Sequence, residues 1–277
     1  MITSESQIYQ LLLGLHLGLS VVVTPLILWF GSPYGKLADS FKVHWSRGNV
    51  TINGTLGWVI METVSLVAYT LCFTPWLGGP VHLNATTLLL AAMWVVHYIN
   101  RSWVYPLRNP HRSPMHVGVM LSAVFFNVIN GYVNGRWVSH FGEYPADAIL
   151  SWHGLAGLAL FVGGLVGNVH SDNILMGIQR SKRQKTQLAT KGHDTASQSR
   201  YVIPRNGLFE WVSSPHYLCE LLEWTGYAIA TRSTAAWLFV LFAMANLGPR
   251  AIQCHRWYKT HFANYPPARK AIIPYLL

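Results

Sequence analysis

The stretch NATTLLLAAMWVVHYINRSWVYP, residues 84–106, decides the fold of this chain. It contains no acidic residue, and its first Lys or Arg is Arg101, close to the end of the stretch. About 20 consecutive apolar residues are enough for a helix to cross the hydrocarbon core of a bilayer. We therefore interpret residues 84–106 as a transmembrane helix whose last turns carry polar groups.

Six other stretches have the same apolar character and a comparable length: residues 7–30, 52–76, 114–135, 147–170, 212–231 and 233–252. Only 11% of the 277 residues are charged and 51% are hydrophobic, whereas an ordinary soluble domain carries about 25% charged residues. This composition excludes a disordered chain and a collagen-like fibre. The sequence predicts an all-α, polytopic membrane protein with seven transmembrane helices, of which the last two form a tight hairpin.

The Lys and Arg residues orient the predicted bundle. All 20 of them except Arg136 and Arg232 fall on one side of the seven spans, and such an excess marks the cytoplasmic side. We expect the N-terminus outside, the C-terminus in the cytoplasm and no removable signal peptide. Nucleic acid is not an expected partner, because the basic residues punctuate apolar runs instead of clustering on one face. The polar segment 181–199 is predicted to be a mobile cytoplasmic loop.

Glycines and cysteines add two expectations. Gly163 and Gly167 have the GxxxG spacing that marks close helix packing in membranes. The three cysteines, Cys72, Cys219 and Cys254, lie far apart in the sequence, which argues against a zinc ribbon and a disulfide framework. We predict no metal site.

Glu62 is the acidic residue that most needs an explanation. It lies in the middle of the second span with no Lys or Arg within a helical turn, and an unpaired ionisable group inside a membrane is costly. One interpretation is a carboxyl that is hydrogen-bonded within the bundle for packing. The interpretation that we favour is a ligand cavity, in which a protonated Glu62 donates a hydrogen bond.

Further polar groups gather near the predicted cytoplasmic ends of the helices. His97, Tyr98 and Arg101 share a helix surface through their three- and four-residue spacings, and Tyr98 lies deeper than the interfacial aromatic belt that explains Trp103 and Tyr105. With the acids and amides of spans five and six, these groups could surround a large anionic cofactor, since Arg suits phosphate. Taken singly, each could also be a snorkelling or capping residue.

Motifs over most of the chain resemble the steroid 5-alpha-reductase family, and a bacterial-type member is expected. The motifs are GLF at 207–209, ELLEWTGYA at 220–228, LGPRA at 247–251, HRWY at 255–258 and RKAIIP at 269–274. The resemblance continues through NVHSD at 168–172 and HY at 97–98, and weakly to YGK at 34–36 and to Trp58 and Glu62.

The resemblance implies a seven-helix enzyme that uses NADPH to reduce the 4,5 double bond of 3-oxo-4-ene steroids to 5-alpha-3-oxosteroids, with hydride transfer to C5. The matches to Tyr98 and Glu62 hold the C3 carbonyl as the catalytic pair, and Trp58 lines the substrate cavity. Spans one to four, about 7–135, are then mainly the substrate side, and about 147–277 is mainly the cofactor side. Implied cofactor contacts are Arg101, Asn109, Arg112, Asn168, Asp172, Tyr201, Glu220, Arg250 and Tyr258.

A few positions depart from the family pattern. His216 stands where an Asn is common, and it stays a cofactor-binding candidate because imidazole can donate one hydrogen bond and accept another. Cys219 replaces a small Gly, Gln253 and Cys254 interrupt a His cluster, and Gln179 stands where a basic residue is frequent. These departures affect individual cofactor contacts more than the reaction class.

The expected chemistry follows from the charge that develops during reduction. Hydride addition to an enone places negative charge on the carbonyl oxygen, and donors at that oxygen lower the barrier. Tyr98 with a protonated Glu62, or Tyr98 alone oriented by an ionised Glu62, would supply them. The apolar steroid would enter from lipid into a monomer, in a bacterial inner membrane or in the endoplasmic reticulum membrane of a eukaryote.

Three other functions remain open on the sequence. A reductase of a polyprenol or an enoyl thioester would share the C-terminal motifs. A membrane methyltransferase of the isoprenylcysteine type would have a similar C-terminal helical plan and would bind S-adenosylmethionine. A transporter or lipid-binding bundle would use Glu62 as a proton relay.

Overall fold

The computed structural model describes residues 4–30, 50–109, 112–191 and 201–277, with the side chains of 185–191 left aside. The weak family match at 34–36 and the end of the predicted loop, 192–199, lie outside these ranges.

Helices dominate the described part of the chain. The α-helices are α1 (Glu5–Phe30), α2 (Gly54–Leu71), α3 (Ala85–Ile99), α4 (Tyr105–Arg108), α5 (Val117–Arg136), α6 (Trp152–Lys191), α7 (Pro215–Thr231) and α8 (Thr234–His261). π-helical turns join α3 to α4 at Asn100–Val104 and extend α5 at Trp137–Phe141. Single 3₁₀ turns cover Pro75–Leu77, Ala148–Leu150 and Gly207–Glu210. Strands β1 (Thr51–Ile52) and β2 (Met115–His116) form one short antiparallel ladder.

Five helices of the described ranges are long and apolar enough to cross a membrane: α1, α2, α5 with its π turn, α6 and α8. The other two predicted spans are also helical. The decisive stretch, residues 84–106, forms α3, the π turn and the beginning of α4, whereas span six is reduced to the 17 residues of α7. The count of seven spans therefore stays a prediction, and the helical membrane architecture is confirmed.

The prediction of a loop from residue 181 is wrong for its first half. Helix α6 begins at Trp152 and runs unbroken for 40 residues to Lys191. At 1.5 Å per residue such a helix is about 60 Å long, roughly twice the thickness of the hydrocarbon core. The polar sequence after residue 180 thus continues the helix instead of ending it.

Helices α6 and α7 pack with their backbones in near contact, and glycines make this possible. A Cβ atom on Gly164 would lie 2.5 Å from the backbone nitrogen of Glu223, and one on Gly157 would lie 2.6 Å from the carbonyl oxygen of Gly226. A Cβ atom on Gly167 would lie 2.6 Å from the sulfur of Cys219, whereas one on Gly163 would meet no atom within 4 Å. The prediction that Gly163 and Gly167 both mark close helix packing is therefore wrong for Gly163.

We expect Gly164→Ala to destabilise the protein, since the added methyl group meets backbone that cannot move alone. Overpacking of this kind costs about 1–3 kcal/mol. Thermal unfolding of the detergent-solubilised protein measures the effect. The neighbouring Gly163→Ala is the matched control and should leave the unfolding temperature unchanged; equal losses in both variants would contradict this packing.

One end of the bundle is tied by a buried ion pair between α1 and α5. The guanidinium of Arg136, with 0% exposure, donates from Nε and Nη2 to the two carboxylate oxygens of Glu5 at 2.6 and 2.7 Å. The Tyr132 hydroxyl donates to the same carboxylate at 3.1 Å. This pairing explains how one of the two basic residues predicted on the outer side is accommodated.

The core below the polar end is an aromatic cluster around Trp94, which is 0% exposed. Tyr69 stacks on Trp94 with ring centroids 4.7 Å apart, and Tyr98, Trp224 and Tyr227 lie 5.1–5.4 Å from it. The cluster joins α2, α3 and α7. It therefore fixes the relative positions of the three helices that carry Glu62, Tyr98 and Glu223.

Candidate functional site

The π turn in the third predicted span releases a carbonyl group for a contact with α2. In this turn the N–H of Tyr105 donates to the carbonyl of Asn100, five residues earlier. The next residue, Pro106, has no N–H, so the carbonyl of Arg101 is not used by the helix. The indole Nε1 of Trp58 donates to that carbonyl at 2.9 Å. π turns of this type recur at functional sites, and here the turn locks Trp58 against Arg101.

Two guanidinium groups lie over two aromatic rings at this point. Cζ of Arg112 is 4.1 Å from the ring centroid of Trp58 and 4.6 Å from that of Tyr105. Cζ of Arg101 is 4.8 and 5.3 Å from the same two rings. Tyr105 is thus half-buried beside two cations, whereas Trp103 is 42% exposed. The interfacial belt predicted for these two residues stays a prediction.

Arg112 has the properties expected of an anion-binding group. Its Nε and Nη2 atoms are buried and have no hydrogen-bond partner in the described part of the chain. Burial lowers the pKa of this guanidinium from its ordinary value, although an arginine stays charged. Buried donors without partners are costly, so a phosphate group of a cofactor fits these atoms.

We expect Trp58→Phe to lower the free energy of unfolding by about 1–3 kcal/mol, because it leaves the Arg101 carbonyl without its donor. Urea or thermal unfolding in detergent measures this loss. Trp103→Phe is the matched control, since it removes an indole hydrogen bond at an exposed position, from Nε1 of Trp103 to the Thr63 hydroxyl at 3.1 Å. A loss in the control as large as in the test variant would contradict the role of the π turn.

Glu62 is not the isolated acid that its sequence neighbours indicated. Its carboxyl lies in the electrostatic field of Arg101, His97 and Arg112 and of the second acid, Glu220, all from other parts of the chain. The residue is half-buried although its helix surface faces these interior groups. The ligand cavity predicted beside Glu62 stays a prediction.

Tyr98 lies beside Glu62 and is 3% exposed. Its phenol neighbours the Ser65 hydroxyl and is in electrostatic contact with the Glu62 carboxyl. The ring packs between those of Trp94 and Trp224, at centroid distances of 5.1 and 5.9 Å. The structure thus brings the predicted catalytic pair together from α2 and α3.

A web of charges surrounds this pair on the side of α6 and α7. Nη2 of Arg101 lies 3.6 Å from Oε2 of Glu220, and both side chains are more than four-fifths buried. Asp172, 6% exposed, faces the guanidinium groups of Arg101, Arg112 and Arg108. Arg108 also donates to the Asn173 side chain, which ties α4 to α6.

His97 and Glu223 form a second buried pair one layer below. Nδ1 of His97 is 2.7 Å from Oε1 of Glu223, and the two side chains are 5% and 0% exposed. Oε2 of Glu223 is buried without a hydrogen-bond partner among the described residues. The His97 ring also contacts those of Trp224 and Tyr98, at 4.3 and 5.0 Å.

Three cofactor candidates have structural contacts of their own. The amide nitrogen of Asn168 donates to the backbone carbonyl of His216 at 2.9 Å and so joins α6 to the first turn of α7. Asn109 ends α4, with its backbone N–H on the carbonyls of Tyr105 and Pro106. Their contacts with a cofactor stay predictions.

Tyr201 and Tyr258 belong to a different cluster, near the end of the chain. Tyr258 stacks on Tyr265 at 5.4 Å, and the Tyr265 and Ser213 hydroxyls are 2.6 Å apart. Tyr201 packs against Trp257 at 4.8 Å and lies in the field of Tyr258.

Arg269, 2% exposed, anchors this cluster by donating to the Pro204 carbonyl at 3.0 Å. It also lies 3.6 Å from Glu210. The Asn206 N–H and the Arg269 guanidinium hold the pKa of Glu210 below its ordinary value.

The structure therefore collects a subset of the predicted residues at one place: Trp58, Glu62, Tyr98, Arg101, Arg112, Asp172 and Glu220. Arg250 approaches this group through Tyr217, which lies in the field of Arg250, Glu220 and Arg101. Tyr105 and Tyr217 are neighbours of the site that sequence reasoning missed. Tyr217 lies three residues before Glu220, and Tyr105 lies four residues after Arg101, so helical spacing is the signal that the sequence offers for both.

Comparison with known proteins gives a consistent picture. A family model described as 3-oxo-5-alpha-steroid 4-dehydrogenase matches residues 113–277. The chain is 32% identical to the steroid 5-alpha-reductase DET2 of Solanum lycopersicum, with all of both chains covered. It is 33% identical to the 3-oxo-5-alpha-steroid 4-dehydrogenase 1 of Bos taurus over 99% of each chain. It is 34% identical to the DET2 reductase of Arabidopsis thaliana over 91% of this chain and 90% of that protein.

Proposed function

The chain belongs to the 3-oxo-5-alpha-steroid 4-dehydrogenase family, and on that premise we propose that it reduces the 4,5 double bond of 3-oxo-4-ene steroids with NADPH, giving 5-alpha-3-oxosteroids. The observation that carries the proposal is that the buried Tyr98 phenol and the Glu62 carboxyl lie within electrostatic range of each other in the bundle. A phenol and a carboxyl in an apolar surrounding suit a ketone oxygen.

In the proposed reaction NADPH, when bound, supplies a hydride to C5. Tyr98 and Glu62 hold the C3 carbonyl and donate hydrogen bonds to the oxygen on which negative charge develops. Such donors act strongly in a site that excludes water, and the aromatic cluster around Trp94 provides that exclusion below Tyr98. Trp58, locked against the Arg101 carbonyl, would line the space that the steroid occupies.

The cofactor phosphates are assigned to the guanidinium groups above the catalytic pair. Arg112 has buried donors that a phosphate would satisfy, and Arg101 is held in place by Glu220. We retain Asn109, Asn168, Asp172, Tyr201, His216, Glu220, Arg250 and Tyr258 as further contacts of the same cofactor. Tyr201 and Tyr258 would then meet a part of it distant from the phosphates at Arg112.

The proposed membrane arrangement follows the charge pattern. Seven helices cross the bilayer, with the N-terminus outside and the C-terminus in the cytoplasm, where NADPH is available. The steroid enters a monomer laterally from lipid. Support comes from the five apolar helices and from the position of Arg136 beside Glu5 at one end of the bundle.

NADPH oxidation by the purified, detergent-solubilised protein tests the proposed function. We expect turnover with a 4-ene-3-one steroid and a product with 5-alpha stereochemistry. Turnover with only a polyprenol or an enoyl thioester would assign another double-bond reductase. Binding of S-adenosylmethionine without NADPH turnover would indicate a methyltransferase, and solute flux or proton coupling without turnover would indicate a transporter; either result would refute the proposal.

A further inference from the structure

The His97–Glu223 pair is a buried ionisable contact, close to Tyr98, that the proposed mechanism leaves unused. It joins α3 to α7 with an Nδ1–Oε1 distance of 2.7 Å, and Glu223 is completely buried. Burying an acid and an imidazole in a membrane interior is costly even when they pair. A contact of this kind therefore needs a reason beyond joining two helices.

Helix α7 is also joined to a neighbouring helix by an uncharged contact. One turn beyond Glu223, the hydroxyls of Tyr227 and Tyr69 are 3.2 Å apart and link α7 to α2. The glycine contacts with α6 also position α7. Glu223, in contrast, keeps Oε2 buried and unpartnered among the described residues, so half of its carboxyl takes no part in joining helices.

The pair also lies next to the catalytic residues. With Nδ1 occupied by Glu223, Nε2 is the ring atom of His97 left to serve other groups. His97 precedes Tyr98 in α3, its ring contacts the Tyr98 ring at 5.0 Å, and it lies in the electrostatic field of Glu62. The other charged groups in range of the pair are Arg101 and Glu220.

We infer that His97 and Glu223 hold a proton in reserve for the two catalytic residues, Tyr98 and Glu62. Glu223 is the positioning residue that fixes the imidazole, and His97 is the group that returns the proton. The inference rests on the proposed function. It gives the His97–Glu223 contact a chemical role in addition to joining α3 to α7.

The proton balance of the reduction shows where the proton of His97 is needed. A hydride with its two electrons forms the C5–H bond, the electrons of the double bond move to the carbonyl oxygen, and that oxygen takes a proton from Tyr98 or Glu62. His97 returns a proton to them. When the enol becomes the ketone, its O–H bond breaks and a C4–H bond forms, and water then restores the proton of His97. One hydride and one proton from water are consumed in total.

Glu223→Gln is the sharpest test variant, because the amide keeps the shape and can still bond Nδ1 but no longer fixes the proton on the imidazole. We expect kcat to fall by about 100-fold, the lower range for loss of acid–base assistance. KM for the steroid and the NADPH affinity should stay within about threefold of the parent, since binding groups are unchanged. The solvent deuterium isotope effect on kcat should rise, because proton return becomes slow.

Tyr227→Phe is the matched control, as it removes a buried interhelical hydrogen bond from the same helix. It should lower the unfolding temperature with kcat and the isotope effect unchanged. His97→Ala provides a second measurement if Glu223→Gln does not fold: added imidazole should restore a large part of the lost rate, which no structural tie predicts. Each variant is measured on protein shown to bind NADPH.

The inference is overturned if Glu223→Gln keeps the parental kcat and isotope effect, or if imidazole fails to rescue His97→Ala. Its failure is distinguishable from failure of the proposed function. If Tyr98→Phe lowers steroid reduction and Glu223→Gln does not, the proton reserve alone is refuted. If the parent protein does not reduce a 4-ene-3-one steroid, the proposed function is refuted with it.

Discussion

Replacement of Tyr98 by Phe is expected to lower kcat for steroid reduction by about 10²–10³-fold, the range found when one donor to a developing oxyanion is removed. The phenol neighbours the Glu62 carboxyl and is buried in the aromatic cluster, so its loss removes a donor without opening a cavity. NADPH affinity should be unchanged, because the guanidinium groups above the pair are untouched. Steady-state kinetics with a 4-ene-3-one steroid, combined with a direct NADPH titration, measures both.

The matched control for Tyr98 is Tyr69→Phe. Tyr69 stacks on the same Trp94 ring and is also buried. Its replacement by Phe removes the hydrogen bond with Tyr227. We expect it to reduce stability and leave kcat unchanged. If both variants lower kcat equally, the effect belongs to the aromatic cluster, and Tyr98 is not the carbonyl donor.

Replacement of Arg112 by Gln is expected to weaken NADPH binding by about 10–100-fold, since a hydrogen bond to a charged group contributes about 1.5–3 kcal/mol. The side chain would keep a polar end, but it would lose the cation that lies over Trp58 and Tyr105. Fluorescence titration of the Trp residues with NADPH gives the dissociation constant. Higher salt should reduce the difference between the parent and the variant, because part of it is electrostatic.

Arg108→Gln is the control for the loss of one positive charge near the same loop. Arg108 pairs with Asn173 and faces Asp172, but it does not lie over either ring of the cluster. Its removal should leave the dissociation constant close to the parental value.

Arg112→Lys should restore only part of the affinity, because an ammonium lacks the planar fork and stacks poorly. An unchanged dissociation constant in Arg112→Gln would remove Arg112 from the cofactor site.

The sequence predicts the helices well because their existence depends on composition alone. A long apolar run such as 84–106 forms a helix in lipid, because a helix satisfies its backbone groups within the segment and a membrane-spanning strand is only about 9–11 residues long. Where a helix ends is less certain, since α6 continues past residue 180 into polar sequence. Which face packs is also less certain: Gly163 and Gly164 are adjacent in sequence, but only Gly164 meets α7.

The sequence predicts those site residues whose polar or ionisable side chains are unusual within an apolar stretch. Glu62 and Tyr98 stand out for that reason, and the family resemblance assigns them a shared role. The sequence could not show that Arg101 approaches Glu62, because this neighbour comes from another helix. The sequence does not show the π turn either, although Pro106, which has no N–H, marks the place where the hydrogen-bond ladder of this helix is interrupted.

The Glu5–Arg136 pair constrains how the protein can be assembled during synthesis. The partners are 131 residues apart, so the ribosome must release the first four spans before the salt link can close. Until then the Arg136 guanidinium at the end of α5 lacks its carboxylate partner. The link between the first helix and α5 is therefore a contact that forms late in synthesis.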